Sequence, residues 1–455
     1  AEHMMIRAGS LLRADGGFLI LEARDVLAEP GAWKVLVRTL RTGQLEIVPA
    51  EAASVLSGPV LAPEPIDVSV KVILLGDPDL YDALDRQDRD FPHLFKVLAD
   101  FDSTIPRDER GVRSYATVLA RIVREEGLLP FSRDAVVALV EHGARIAARR
   151  GRLTTRFGRL ADIAREASFI ADRDRRRRVA AADVDDAVRR GRRRADLPAR
   201  HFRRAVHEGS LRIQVAGREV GQVNGLAVTH AGPLTYGFPT RVTATIGPGT
   251  DGAVNIEREA ELSGAIHTKA FYILGGLLRH LLRSEHPLAF SASLAFEQSY
   301  GGIDGDSASA AETCCLISAL TGVPLRQDLA MTGAIDQHGH ILPVGAVTEK
   351  VEGFFDVCSA PGLTGTQGVI IPGANRGDVM LREDLVEACR EGRFSVFAVD
   401  RIEQALELLT GFTAGRRDAH GRYPAASLLG LAERRALAFW EMVSETRRPP
   451  PPDAG

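Results

Sequence analysis

"GDSASAAETCCLISALTGVPLRQDLAMTGAIDQHGHILPVGAVTEKVEGFF" runs from residue 305 to residue 355, and its order of elements decides the fold class. Glycines 301, 302 and 305, with Asp304 and Asp306, make a turn. "AAETCCLISALTGV" (310–323) is helical and Gly322 stops it. "LAMTGAIDQHGHILPVG" (329–345) reads as two strands joined at Gln337-His338-Gly339, and "AVTEKVEGFFDVCSA" (346–360) as another helix. Helices alternating with strands at this spacing predict an α/β unit.

The alternation continues on both sides. Upstream, residues 211–255 are strand-rich, 257–284 form a long helical segment and "AFSASLAFEQSY" (289–300) reads as a strand. Downstream come strands at "GVIIPGAN" (368–375) and "FSVFAVD" (394–400), a helix at "RIEQALELLTG" (401–411), and one more helix over 425–445. The closing "RRPPPPDAG" reads as disordered. Residues 111–195 carry four helical patterns and read as a small all-α domain; Ser132 with Asp134 starts one helix and Gly151 ends it. At the front, "GGFLILE" (16–22) and "VKVILLGDPDL" (70–80) read as buried strands around a helix at 31–43. The expected divisions are 1–110, a partial α/β module; 111–195, helical; 196–210, a linker; 211–412, the second α/β domain; and 413–455, a helix and tail.

A chain of 455 residues with 45% hydrophobic and 26% charged residues is an ordinary multidomain globular protein. A net charge of −3 gives no general attraction to nucleic acid or membrane. Cys314, Cys315, Cys358 and Cys389 form neither a disulfide framework nor a zinc pattern, which fits a reducing cytoplasm. No apolar run reaches the roughly 18 residues of a bilayer span; "AFYILGGLLRHLL" (270–282) contains Arg279 and His280. Residues 172–204 hold thirteen Arg against six Asp, a local net of +7. That is either a nucleic-acid footprint or a solvated helix surface with a hinge.

Ser307 and Ser309 are placed in the first turn of the helix that follows the glycine turn. Unpaired backbone N–H groups there would stabilise an oxyanion beside a serine hydroxyl, and the glycines leave room for a substrate chain. The same features serve a plain N-cap, so position alone leaves both readings open. A nucleophilic serine needs a base. His267, His280, His286, His338 and His340 stand at no spacing that argues for a triad, and the His338/His340 pair lacks a third metal ligand. Lys350 falls at the edge of the apolar stripe made by Val347, Val351, Phe354, Phe355 and Cys358. Burial there would lower its pKa and let it accept a proton; a snorkelling lysine would also fit.

Taken together, these pieces resemble the proteolytic domain of Lon-type proteases. The matching residues are Gly305-Asp306-Ser307-Ala308, Met331-Thr332-Gly333, Gly339, Leu342-Pro343-Val344-Gly345 and Glu349-Lys350. The resemblance covers about 210–412 and implies a Ser-Lys dyad endopeptidase, with Ser307 as nucleophile and Lys350, 43 residues on, as its base. It further implies that Thr332 holds Lys350 or Ser307 in place. Backbone N–H groups of Asp306 and Ser307 would form the oxyanion site, Asp304 and Asp306 would shape the loop, and Ser309 would be a helix residue without a catalytic role.

The front half is similar to the family's ATPase module. "ADGGFLILEARDVL" resembles a Walker B strand and "VKVILLGDPDLYDAL" the next strand; "LTTRFGRLADIAREA" resembles the lid, with Arg156 near the second sensor position. No Gly-x-x-x-x-Gly-Lys-[Ser/Thr] occurs, and Glu22 is followed by Ala23 where the second Walker B acid would stand. The sequence therefore reads as a branch without its own ATP hydrolysis, with a fragment of an ATP-dependent protease as the alternative. The expectation is a cytoplasmic serine endopeptidase acting on unfolded polypeptides, a homo-oligomer (a hexamer, from the resemblance), needing neither cofactor nor metal for peptide cleavage. A non-catalytic ring scaffold binding nucleic acid through 173–204 is the rival of a different class.

Overall fold

In a computed structural model of the chain, residues 7–47, 64–231, 234–250, 252–282, 286–299 and 301–446 are described. The expected disordered tail lies outside them. The chain forms two compact units, 1–101 and 102–455.

The first unit pairs β1 (Phe18–Glu22) in parallel with β2 (Lys71–Leu75). Helix α1 (Ala32–Thr42) lies between them in sequence, starting and ending at Gly31 and Gly43, both left-handed. Leu36 and Val37 on α1 are buried, and Trp33 stacks on Phe95.

The second unit opens with five helices: α2 (Glu109–Glu125), α3 (Arg133–Ala147), α4 (Phe157–Arg173), α5 (Ala181–Ala195) and α6 (Leu197–His207). Ala135, Leu139, Ala164, Ala167, Ile170 and Val184 form one core between α3, α4 and α5. The alanines among them let the helices approach closely. The expected linker at 196–210 is instead α6. Pro198 occupies its first turn, where a missing N–H costs nothing, and Asp196 pairs with Arg200 one turn on.

Next comes a mixed sheet in the order β5-β6-β4-β3-β7-β8-β9. Its strands are β3 (Gln222–Ala231), β4 (Leu234–Pro248), β5 (Gly252–Asn255), β6 (Phe290–Glu297), β7 (Leu329–Met331), β8 (Gly368–Pro372) and β9 (Ser395–Val399). The β3–β4–β6 part is antiparallel and β3–β7–β8–β9 is parallel. The continuous apolar run "GVIIP" of β8 is buried throughout, as a strand covered on both faces requires. Alternate side chains enter opposite layers. Ile370 joins a core with helices α7 (Ala265–Leu282), α8 (Ser309–Thr321), α10 (Ile402–Thr410) and α11 (Leu428–Thr446). Val369 and Ile371 join the other core, under α9 (Val347–Ser359) with Phe354, Phe355 and Leu385.

The two front strands are not buried as expected: Phe18, Ile20, Ile73 and Leu75 are exposed, since β1 and β2 pair as a two-stranded sheet with one face uncovered among the described residues. Other expectations shift in detail. The long helix over 257–284 is broken into Ile256–Glu259 and α7. At the break sits Gly264, where a Cβ would stand 2.3 Å from the Asp304 carboxyl carbon. The helix over 181–190 extends to Ala195. Ser307 is not in the first turn of α8 but in the turn before it; the helix begins at Ser309. No described helix is long and apolar enough to cross a membrane.

Candidate active site

The helices that flank the sheet meet at the carboxyl end of β7, where α/β folds leave a crevice for chemistry. Thr332 follows β7 directly and is fully buried, its N–H bonded to the Ile370 carbonyl at 3.1 Å. The turn before α8 comes up from one face and the first turns of α9 from the other.

The turn is held by backbone geometry. Gly305 has φ of 100°, a conformation costly for any residue with a Cβ. Asp304 Oδ1 accepts from the N–H groups of Gly305 (2.8 Å), Ile266 (3.2 Å) and His267 (3.4 Å), tying the turn to the start of α7. These bonds, the Gly305 one foremost, hold the Asp304 carboxyl below its usual range. Gly333 N–H (2.8 Å) and the Thr332 hydroxyl (3.1 Å) both donate to the Ser307 carbonyl. Ser309 donates its hydroxyl proton to the Asp306 carbonyl at 2.8 Å and accepts from Ile335 N–H at 3.1 Å, so its hydroxyl is spent on structure.

Lys350 enters from α9. The helix lies close on β4 because both contact points are glycine: a Cβ on Gly353 would stand 1.9 Å from the Gly237 carbonyl oxygen, and one on Gly237 2.5 Å from Lys350 Cα. Ala346, left-handed at φ 53°, turns the chain into the helix. Lys350 Nζ stands 2.8 Å from Ser307 Oγ and 3.1 Å from Thr332 Oγ1. Lys350 is 3% exposed, and burial lowers its pKa to about 8 against the opposing field of Asp306. Ser307 is half-buried while Asp304, Asp306, Gly301 and Gly302 are exposed, so the hydroxyl has solvent on one side and the amine on the other.

The remaining candidates lie apart. His340 bonds Asp336 at 2.8 Å within the hairpin Ala334–Ile335/Ile341–Leu342. His338 faces His280 edge-on and His286 stacks on Trp440. His267 is buried, its pKa lowered by desolvation, with Nδ1 3.7 Å from Glu312. Glu22 closes β1 in the first unit, next to buried Ala23; Arg156 is exposed at the start of α4. Of the thirteen arginines in 172–204, at least Arg173, Arg176, Arg189, Arg190, Arg192, Arg194, Arg200 and Arg203 pair with acids of the same chain.

Sequence reasoning passed over two features. Asn375 is buried; its carbonyl accepts from Val344 N–H (2.8 Å) and its amide donates to the Val344 carbonyl (3.0 Å), fixing the segment that leads into α9. Glu352 is buried among lid arginines. Its only sequence signal is an acid two residues past Lys350, off the apolar stripe, and that was readable as surface.

The fold and site define an α/β domain that sets a buried lysine amine against a serine hydroxyl at a strand's carboxyl end. Residues 300–411 match the profile described as the Lon protease (S16) C-terminal proteolytic domain. Residues 1–102 match a LonB-like AAA domain, and 130–194 the archaeal LonB AAA+ ATPase lid domain. A Lon protease homolog of Escherichia coli (strain K12) is 34% identical over 89% of this chain and 68% of its own length. A Lon protease homolog of Haemophilus influenzae is 32% identical over 90% of this chain and 68% of its own length. An archaeal Lon protease of Pyrococcus abyssi is 27% identical over 95% of this chain, which spans 41% of that relative. The chain belongs to the Lon protease family, as the sequence resemblance indicated.

Proposed function

We propose that this chain is a serine endopeptidase in which Ser307 attacks and Lys350 moves the proton. What carries the reading is the 2.8 Å contact between Nζ and Oγ, with the amine 3% exposed. Uncharged Lys350 donates one N–H to Thr332 and offers its lone pair to the Ser307 hydroxyl. As Oγ adds to a peptide carbonyl, the proton passes to Nζ, and the lysine ammonium then delivers it to the departing amine. Water, deprotonated by the same amine, releases the acyl group and Ser307 recovers its proton. The backbone N–H groups of Asp306 and Ser307 are the proposed oxyanion donors.

The substrates are extended or unfolded polypeptides, because the half-buried Ser307 hydroxyl in its glycine-rich turn needs a peptide carbonyl brought against it by an accessible backbone. A homo-oligomeric ring, a hexamer on the family resemblance, would enforce the same selection. Peptide cleavage is independent of nucleotide hydrolysis by this chain: buried Ala23 offers no carboxylate beside Glu22 to orient a water.

The test is casein cleavage by the wild type and Ser307→Ala, with and without ATP. Cleavage lost in the variant, and indifferent to ATP in the wild type, is the expected result. Full cleavage by the variant rejects the assignment of Ser307.

A further inference from the structure

Helix α9 has two working sides. Lys350 projects toward Ser307, and Glu352, two residues or about 200° further round, projects the other way. It meets the helical lid there. Arg145 of α3 donates to Glu352 Oε1 at 2.5 Å, Arg192 of α5 to Oε2 at 3.1 Å, and Arg382 N–H to Oε1 at 3.0 Å. Glu352 is almost fully buried, with a side chain 3% exposed, whereas Arg145 and Arg192 are part-exposed. One turn along α9, Asp356 takes Arg203 of α6 at 2.6 Å and is also bonded by Arg382. The lid makes backbone contacts with the same region: Arg145 also donates to the Met380 carbonyl (3.1 Å), and Arg150 N–H to Gly377 (3.1 Å). Met380 N–H in turn bonds the Thr348 hydroxyl of α9 at 3.1 Å.

A buried carboxylate tolerates this position only while its partners stay in place. Two lid helices, α3 and α5, with α6 beside them, thus grip the back of the helix whose front presents the amine. On the inner side, the Gly237–Gly353 contact gives α9 no slack toward β4.

We propose that Glu352, clamped by Arg145 and Arg192 of the lid, is a positioning residue that sets Lys350 against Ser307, so that the docking of the lid governs cleavage. The proposal rests on the Ser307–Lys350 reading above. The lid acts here as a mechanical support of the active site, and the arginine-rich stretch supplies part of the grip.

The test uses the full chain with Arg145→Gln/Arg192→Gln, and Arg145→Lys/Arg192→Lys as the conservative pair. Both residues are part-exposed, and thermal melting checks that the fold persists. With an unstructured fluorogenic peptide, the glutamine pair should lower kcat by about ten- to a hundredfold with little change in KM, because a small misplacement of a proton acceptor costs that much. The lysine pair, which keeps the charge, should recover most of it. In a Ser307→Ala background, Lys350 labelling by an amine-acylating reagent is followed against pH by mass spectrometry. The glutamine pair should move its midpoint upward by about one pH unit as water reaches the amine. Unchanged kcat together with an unchanged labelling midpoint overturns the proposal. So does a loss of kcat that tracks the unfolded fraction alone. The labelling experiment does not depend on peptidase activity, so failure of the Ser307 assignment, read as cleavage by Ser307→Ala, is distinguishable from failure of the clamp.

Discussion

Two helices on opposite faces of the same sheet each bury an ionisable side chain, Lys350 on α9 and Glu312 on α8. Desolvation moves both toward the neutral form and to the same place: it lowers Lys350 to about 8 and, with Glu257 adding to it, raises Glu312 to about 8. Their surroundings differ. Lys350 faces two hydroxyls, one of them half-exposed. Neither Glu312 oxygen has a hydrogen-bond partner among the described residues, and its neighbours along α8 include buried Cys314 and Cys315. Burial sets where a proton leaves. The groups within reach decide whether its leaving does any chemistry.

The contrast is sharpest under substitution of the lysine. Lys350→Arg keeps a cation and much of the volume, but a guanidinium stays protonated at every working pH. Peptide cleavage should fall about 10²- to 10⁴-fold, the scale of a lost general base. The melting temperature should fall too, because a permanent charge replaces a neutral amine at a position 3% exposed; cleavage is therefore compared well below the variant's melting range. Retention of a tenth of the activity would break the distinction between the two buried groups.

Glu312→Gln should leave cleavage near wild type and act on stability instead. A carboxyl whose folded pKa is raised contributes stability that is fully present below its unfolded value of 4.5 and lost as pH climbs through about 8. The wild type should therefore weaken relative to the variant between pH 5 and pH 8, by on the order of a few kcal/mol at the upper end. Urea midpoints of both proteins across that range test it. Parallel curves would mean that Glu312 ionises in the folded chain as readily as in the unfolded one, and would contradict the raised value.

The same contrast explains what the sequence displayed. Ser307, Lys350 and Thr332 were legible because spacing and apolar stripe placed a lysine at an interface, and because the flanking glycines and Met331-Thr332-Gly333 carry a family pattern. The α/β order was legible from runs such as "GVIIPGAN", whose length and composition suit a strand covered on both faces. Helix α6 was not, since Pro198 and Gly209 punctuate it and its arginines read as a hinge. The breaks around Ser307 and Gly264 were not either. They follow from contacts with Asp304 and Gly333, far along the chain, which no local propensity encodes. Glu352 and Asp356 carried no local signal, because the arginines that bury them, Arg145, Arg192 and Arg203, stand more than 150 residues away in the chain.

The central claim is that an uncharged, desolvated lysine activates Ser307. Its most direct measurement is the rate of Ser307 acylation by a fluorophosphonate between pH 6 and pH 10.5 in the intact chain. The account predicts a rate that rises with pH and levels off with a midpoint near 8, where Lys350 gives up its proton. A rate flat across that range, or one that follows the ordinary lysine value of 10.5, would contradict it.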